Sequence, residues 1–155
     1  TKGVKEEELA DLKKALLKAK NDYGVKGVVS GAIASNYQKK RIGVLCRDLG
    51  LKGFSPLWDR DPIALLKEVV NGFKAVIVKV AAEGLDDSWL GRKIDKSFLK
   101  DIIKLRVHPM GEGGEYESLV LNAPLFNKEI VIKESSKEWD GAAGHLRIKK
   151  AFMIP

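Results

Sequence analysis

Cysteine, histidine and long apolar runs are scarce in this chain, and each scarcity excludes something. The single Cys46 rules out an internal disulfide and fits a reducing compartment. The two histidines, His108 and His145, stand at no metal-ligand spacing from Cys46, so no structural zinc site is expected. No apolar stretch approaches the ~20 residues of a membrane helix, and no secretory signal is read. A membrane is therefore not an expected partner, and the cytoplasm is the expected location. Neither a Gly-x-x-x-x-Gly-Lys-Ser/Thr loop nor a Gly-x-Gly-x-x-Gly turn is present, and no local serine-nucleophile motif occurs. Of the few aromatics, only Tyr37 sits inside a basic cluster, so no stacking platform for single-stranded nucleic acid is evident.

What is present is a lysine-rich globular composition. The 155 residues allow one ordinary domain or two small ones, and 45% hydrophobic residues are enough for a core. The net charge of +7 has two readings. A solvated lysine surface is the simpler one; docking of an acidic partner, nucleotide or RNA is the other.

Leu9, Leu12, Leu16 and Ala19 recur at helical spacing, which predicts an amphipathic helix over residues 5–20, ended by Gly24. Residues 25–33 read as a buried parallel strand, and Ser35 or Asn36 can cap the helix predicted over 37–49. Cys46 then joins Leu45 and Leu49 as a packed thiol. Residues 53–58 make a second strand. This alternation implies a parallel sheet covered by helices, with ligands beyond the carboxyl ends of the strands. There the segment from Ser30 to Ser35 leads into Tyr37, Gln38, Lys39, Lys40 and Arg41. It is either a phosphate site at a helix N-terminus or an ordinary turn with a basic face.

A boundary is expected near residue 60. Asp59-Arg60-Asp61-Pro62 opens a helix through Asn71, ended by Gly72. A β-branched strand over 74–80 and a turn over 81–85 follow. A helical or irregular stretch begins at 86–90, with Asp87 or Ser88 as candidate caps, and a short helix covers 97–105. Strands are expected at 119–121, 129–132 and 146–152, with 133–144 as a polar hairpin loop.

Residues 111–118, Gly-Glu-Gly-Gly-Glu-Tyr-Glu-Ser, are the stretch hardest to attribute to folding alone. Three carboxylates, Glu112, Glu115 and Glu117, crowd around Gly113 and Gly114. Like charges this close call for a cation, a metal or a donor-rich substrate. They could hold Mg²⁺, act as acid and base, or grip a cationic group. Equally, they could cap backbone amides and pair with lysines. His108 beside this turn reads as an orienting histidine rather than a proton carrier, and Trp58 and Trp89 as packing residues rather than pocket walls.

Several of these segments carry a family likeness. Ser30-Gly31-Ala32-Ile33-Ala34-Ser35-Asn36-Tyr37-Gln38-Lys39-Lys40-Arg41-Ile42 resembles the later part of the nucleotide-binding domain of the diphthine–ammonia ligase family, the N-type ATP pyrophosphatases of the PP-loop class. Leu57-Trp58-Asp59-Arg60-Asp61, Val78-Lys79-Val80-Ala81-Ala82-Glu83-Gly84-Leu85, Trp89-Leu90-Gly91-Arg92, the 111–118 run and Asn122-Ala123-Pro124-Leu125-Phe126 are similar to its further elements, in order.

The resemblance implies an α/β fold: a partial, doubly wound parallel sheet of HUP type over residues 1–60, then a smaller substrate-binding α/β domain over 61–155. It implies ATP-dependent amidation of diphthine on elongation factor 2, with ATP and Mg²⁺ as cofactors and ammonium as nitrogen donor. The diphthine carboxylate attacks the α-phosphorus and displaces pyrophosphate; ammonia then attacks the acyl-adenylate and AMP leaves. Gly31, Ser35, Tyr37, Gln38 and Arg41 would border the nucleotide. Glu112 and Glu115 would be catalytic, meeting the diphthine trimethylammonium or ammonium. Gly113, Gly114, Glu117 and Trp89 would contact the substrate. Replacing Glu115 by glutamine should then lower amidation with little loss of stability. A second copy of the chain is a further candidate partner; nucleic acid is not expected.

Departures accompany the likeness. The family's Ser-Gly-Gly-Lys-Asp-Ser phosphate loop would precede residue 1, so Thr1 reads as the middle of a longer protein, and these residues alone are expected to be inactive. The connection at Leu105-Arg106-Val107 is short for the family. Ser118 stands for threonine and keeps the hydroxyl; Asn122 stands where aspartate is common and removes a charge. Alternative readings are another PP-loop chemistry on RNA and a non-catalytic protein-recognition module.

Overall fold

A computed structural model describes residues 8–155. The chain divides into two compact units, Thr1–Asp59 and Arg60–Pro155. The expected helix start at residues 5–7 lies outside the described residues.

In the first unit, helix α1 spans Glu8–Tyr23 and α2 spans Asn36–Asp48. Gly24 closes α1 at φ +65°, its N–H donating to the Lys20 carbonyl. Ser35 caps α2 by accepting from the Gln38 N–H at 3.3 Å. Strands β1 (Gly27–Val29) and β2 (Lys52–Phe54) pair in parallel, Val28 opposite Gly53. Leu16 of α1, Ile42 of α2, Val25 and Val28 pack on the buried Cys46, Leu49 and Leu51. Cys46 is thus a core thiol, 2% exposed.

Both strands are shorter than expected, and they are not buried. Val29 and Phe54 stand 72% and 63% exposed. The apolar run past Val29 leaves the ladder because Ser30 Oγ accepts from the Ala32 N–H and curls the chain into a turn. Residues 55–58 likewise form a turn, closed by the Trp58 N–H on the Ser55 carbonyl.

In the second unit, α3 spans Pro62–Gly72, started by Asp61, whose carboxylate accepts from the Ala64 N–H with Pro62 just inside. Strands β3 (Lys74–Val80), β4 (Tyr116–Asn122), β5 (Glu129–Trp139) and β6 (Gly144–Ile154) form one antiparallel sheet, ordered β4-β3-β6-β5. A single 3-10 turn at Asp87–Trp89 and helix α4 (Lys96–Ile102) complete it. Its core centres on Phe98, Ile102, Ile77 and Val80, all 0% exposed, with Leu66 at 1%. Within this chain the second unit is the longer of the two. The whole is a mixed α/β protein with a small parallel sheet and a separate antiparallel one.

Three expectations need correcting. Asp86, not Asp87 or Ser88, caps the 3-10 turn, because its carboxylate reaches the Ser88 N–H at 2.9 Å. Asp95 caps α4, so that helix starts at Lys96 and ends at Ile102, short of residue 105. The stretch 133–144 is not a loop: β5 runs to Trp139 and only residues 140–143 turn, with Asp140 accepting from Ala142 and Ala143. This ribbon is exposed over most of its length, so its polar residues needed no apolar alternation to form it.

Candidate functional site

One end of the second unit's sheet collects the chemistry. Val80, the last residue of β3, pairs with Tyr116 at the start of β4 and with Gly144 at the start of β6. The Ala81 N–H donates to the Glu115 carbonyl at 2.8 Å. The Gly-Glu-Gly-Gly-Glu run is therefore anchored to the central strand.

The turn builds itself around Glu115. Its Oε1 accepts from the His108 N–H at 2.9 Å and its Oε2 from the Gly113 N–H at 2.8 Å. Burial disfavours the charge, but the amides of His108, Glu115 and Gly113, with His108, outweigh it and hold the carboxyl below its ordinary range. A Cβ on Gly113 would lie 2.7 Å from Glu115 Oε1, so a side chain there would displace the carboxylate from its amides. Gly111 has φ +71°, and its Cβ would meet the Tyr116 carbonyl oxygen at 2.8 Å. His108 Nδ1 accepts from the Met110 and Glu112 amides at 3.2 and 3.4 Å, which puts the ring proton on Nε2 in the neutral form. His108 is thus an orienting residue.

Tyr116 ties the turn to the core. Its hydroxyl donates to the Pro109 carbonyl at 2.6 Å, and burial, then the Glu115 charge, push its pKa far up. Its ring meets Phe98 edge-on at 5.6 Å, and Phe98 meets Trp89 the same way at 5.5 Å.

The expected substrate residues therefore stand in different environments. Glu112 is half-buried in the turn. Glu115 serves the loop's own amides. Glu117 faces Lys79 across the β3–β4 pair at 2.7 Å. Gly113 and Gly114 are exposed at the turn's tip, Gly114 at φ +87°. Trp89 is 8% exposed inside the core, with the Arg92 guanidinium 4.5 Å from its ring centroid. Among the described residues, no group of three or more His, Cys, Asp or Glu side chains could hold a metal ion. Sequence reasoning passed over Trp139, which stands half-exposed at this sheet end beside Gly144, because its segment read as loop.

In the first unit, Gly31, Ser35, Tyr37, Gln38 and Arg41 gather at the start of α2. Space around Gly31 is open: a Cβ there would meet nothing within 4 Å. The first turn of α2 carries no acidic residue. The Arg41 guanidinium lies over the Tyr37 ring at 3.2 Å, and Lys39 Nζ over Trp58 at 3.8 Å. A helix N-terminus without carboxylates, followed by Lys39, Lys40 and Arg41, suits an anionic group.

The small parallel sheet and the capped helix beside it, with the separate antiparallel sheet, make this a mixed α/β protein, consistent with a partial HUP-like fragment. The chain matches the diphthamide synthase N-terminal domain over residues 1–53 and the diphthamide synthase C-terminal domain over residues 61–154. It belongs to the diphthamide synthase family. It is 42% identical over 135 residues to a diphthine–ammonia ligase of Schizosaccharomyces pombe, covering 83% of this chain and 22% of that protein. It is 40% identical over 134 residues to that of Homo sapiens, covering 83% and 50%, and 42% identical over 131 residues to that of Danio rerio, covering 81% and 51%. The chain thus spans about half the length of these vertebrate relatives. Among the described residues, no helix is long and apolar enough to cross a membrane.

Proposed function

We propose that this chain is part of an ATP-dependent carbon–nitrogen ligase that converts diphthine on elongation factor 2 to diphthamide in the cytoplasm, with ammonium as nitrogen donor. The observation that carries the reading is the ordered match to both family domains over nearly the whole chain. Residues 1–60 would contribute to the nucleotide-binding domain and 61–155 to the substrate-binding domain.

ATP, when bound, supplies the adenylate leaving group that turns a poorly acylating carboxylate into an acylating one, with loss of pyrophosphate. The basic, carboxylate-free start of α2 fits that anion. Ser35 and Gln38 shape the turn, Gly31 leaves room for close approach, and Arg41, oriented by Tyr37, adds charge. Such positioning and charge neutralisation are where an enzyme of this kind lowers the barrier. In the second unit, Glu115 sets the turn and Glu112 meets a cationic reactant, the substrate's trimethylammonium or the ammonium, with the exposed backbone of Gly113 and Gly114 admitting it. Glu117 balances Lys79, and Trp89 supports the turn from below through Phe98 and Tyr116. The described carboxylates do not fit Mg²⁺ as a self-contained site.

The test uses the full-length protein. It should release pyrophosphate with diphthine-bearing elongation factor 2 and ATP, and release none with bulk transfer RNA. Arg41→Ala should raise the KM for ATP about tenfold, as loss of one charge-assisted contact implies. Release driven by transfer RNA would instead favour base modification.

A further inference from the structure

A hollow at the same sheet end has no part in the proposed function. It has a volume of about 460 Å³ and is lined by the turn at residues 82–86 together with Trp139, Gly141 and Ala142 of the β5–β6 tip. That volume lies within the ~300–1,000 Å³ of small-molecule sites.

Its walls have a definite chemistry. Glu83 is exposed and makes no hydrogen bond or ion pair with the described residues. Asp86 keeps its charge at neutral pH: its bonds from the Ser88 hydroxyl and N–H hold its pKa down against a small desolvation. Lys137, the cation acting on Asp86, has its ammonium 2.6 Å from the Asp87 carbonyl oxygen. Trp139 is 40% exposed and its ring packs closely on Gly144, where a Cβ would lie 2.6 Å from its Cε3. Gly84, at φ +88°, gives the turn its sharp course.

An indole and carboxylates lining one hollow select a particular ligand. A metal ion needs converging oxygen donors, and no such group exists among the described residues. A primary ammonium needs hydrogen-bond acceptors pointed at it. A methylated ammonium needs neither; it takes an aromatic surface and diffuse negative charge.

We propose that this hollow, walled by Trp139, Glu83 and Asp86, receives a quaternary ammonium group. The ligase reading enters only in naming the natural ligand, the trimethylammonium of diphthine; the site itself stands on its own walls. Of the two cations, Glu112 is then left with the ammonium, which becomes the ammonia nucleophile on losing a proton.

The test titrates this chain with tetramethylammonium chloride at constant ionic strength, following the Trp139 indole N–H resonance, assigned with Trp139→Phe. A saturable shift is expected, with ammonium chloride at least tenfold weaker. Glu83→Gln should weaken binding about tenfold at an unchanged melting temperature. A shift that grows linearly with salt, is equal for the two cations, or survives Glu83→Gln overturns the proposal. Saturable binding in a full-length protein that forms no diphthamide would sink the ligase reading and leave the site. Diphthamide formation without saturable binding would do the reverse.

Discussion

Replacing Phe98 by alanine is expected to remove about 3–5 kcal/mol of stability, the range for deleting a fully buried aromatic ring. Phe98 is 0% exposed and stands between two rings, edge-on to Trp89 at 5.5 Å and to Tyr116 at 5.6 Å. The loss combines the ring's transfer free energy, two aromatic contacts and a cavity that α4 cannot close. Domains of this kind are stable by only about 5–15 kcal/mol in all, so much of the second unit's margin would go. The consequence reaches the acidic turn, because Tyr116 is both Phe98's neighbour and the donor to Pro109. Urea unfolding followed by tryptophan fluorescence measures it. Ile103→Ala, next to the same helix but 49% exposed, is the control and should change stability by less than about 1 kcal/mol. Equal effects at the two positions would mean that Phe98 does not stand in the core.

Glu115→Gln is expected to lower stability by about 1–3 kcal/mol at pH 7, the cost of leaving one partly buried amide without an acceptor. Glutamine can accept from His108 or from Gly113 through its one oxygen; its NH₂ group then faces the other donor. This replaces the expectation, drawn from the sequence, that the substitution would spare stability. The pH dependence has a fixed sign. The folded-state pKa of Glu115 lies below its ordinary value of 4.5, so its contribution is complete above that value. It disappears as pH falls through the lowered folded pKa. The gap between the two proteins should therefore be widest near neutrality and narrow below pH 4.5, read as melting temperature across acid buffers. A gap that is constant with pH would remove the charge from the explanation.

Legibility followed the physics of each segment. Helix α3 could be read from Asp61-Pro62, its apolar face and Gly72, and β3 from its β-branched run; both formed over nearly the expected residues. The β5–β6 ribbon could not, because strands exposed for most of their length carry no apolar alternation, and Trp139 was hidden with them. Residues 25–33 looked like a buried strand because they are apolar, but Ser30 turns the chain after three ladder residues. In the acidic turn, the residue types announced a cluster of charge and the possibility of amide caps and lysine pairs, which Glu115 and Glu117 make. Which carboxylate folds back on His108 and Gly113 depends on a backbone path that composition does not encode. Trp89 was visible as an aromatic, whereas its enclosure by Phe98 and Arg92 was not.

In the proposed function the 111–118 run divides its labour: Glu115 builds the turn and Glu112 meets a cationic reactant. The direct measurement is the rate of diphthamide formation beside the melting temperature, for Glu112→Gln and Glu115→Gln in the full-length protein. Glu112→Gln is expected to lower the rate at least tenfold with the melting temperature unchanged, while Glu115→Gln lowers both. A Glu112→Gln protein that keeps its rate, or loses rate and stability together, contradicts the account.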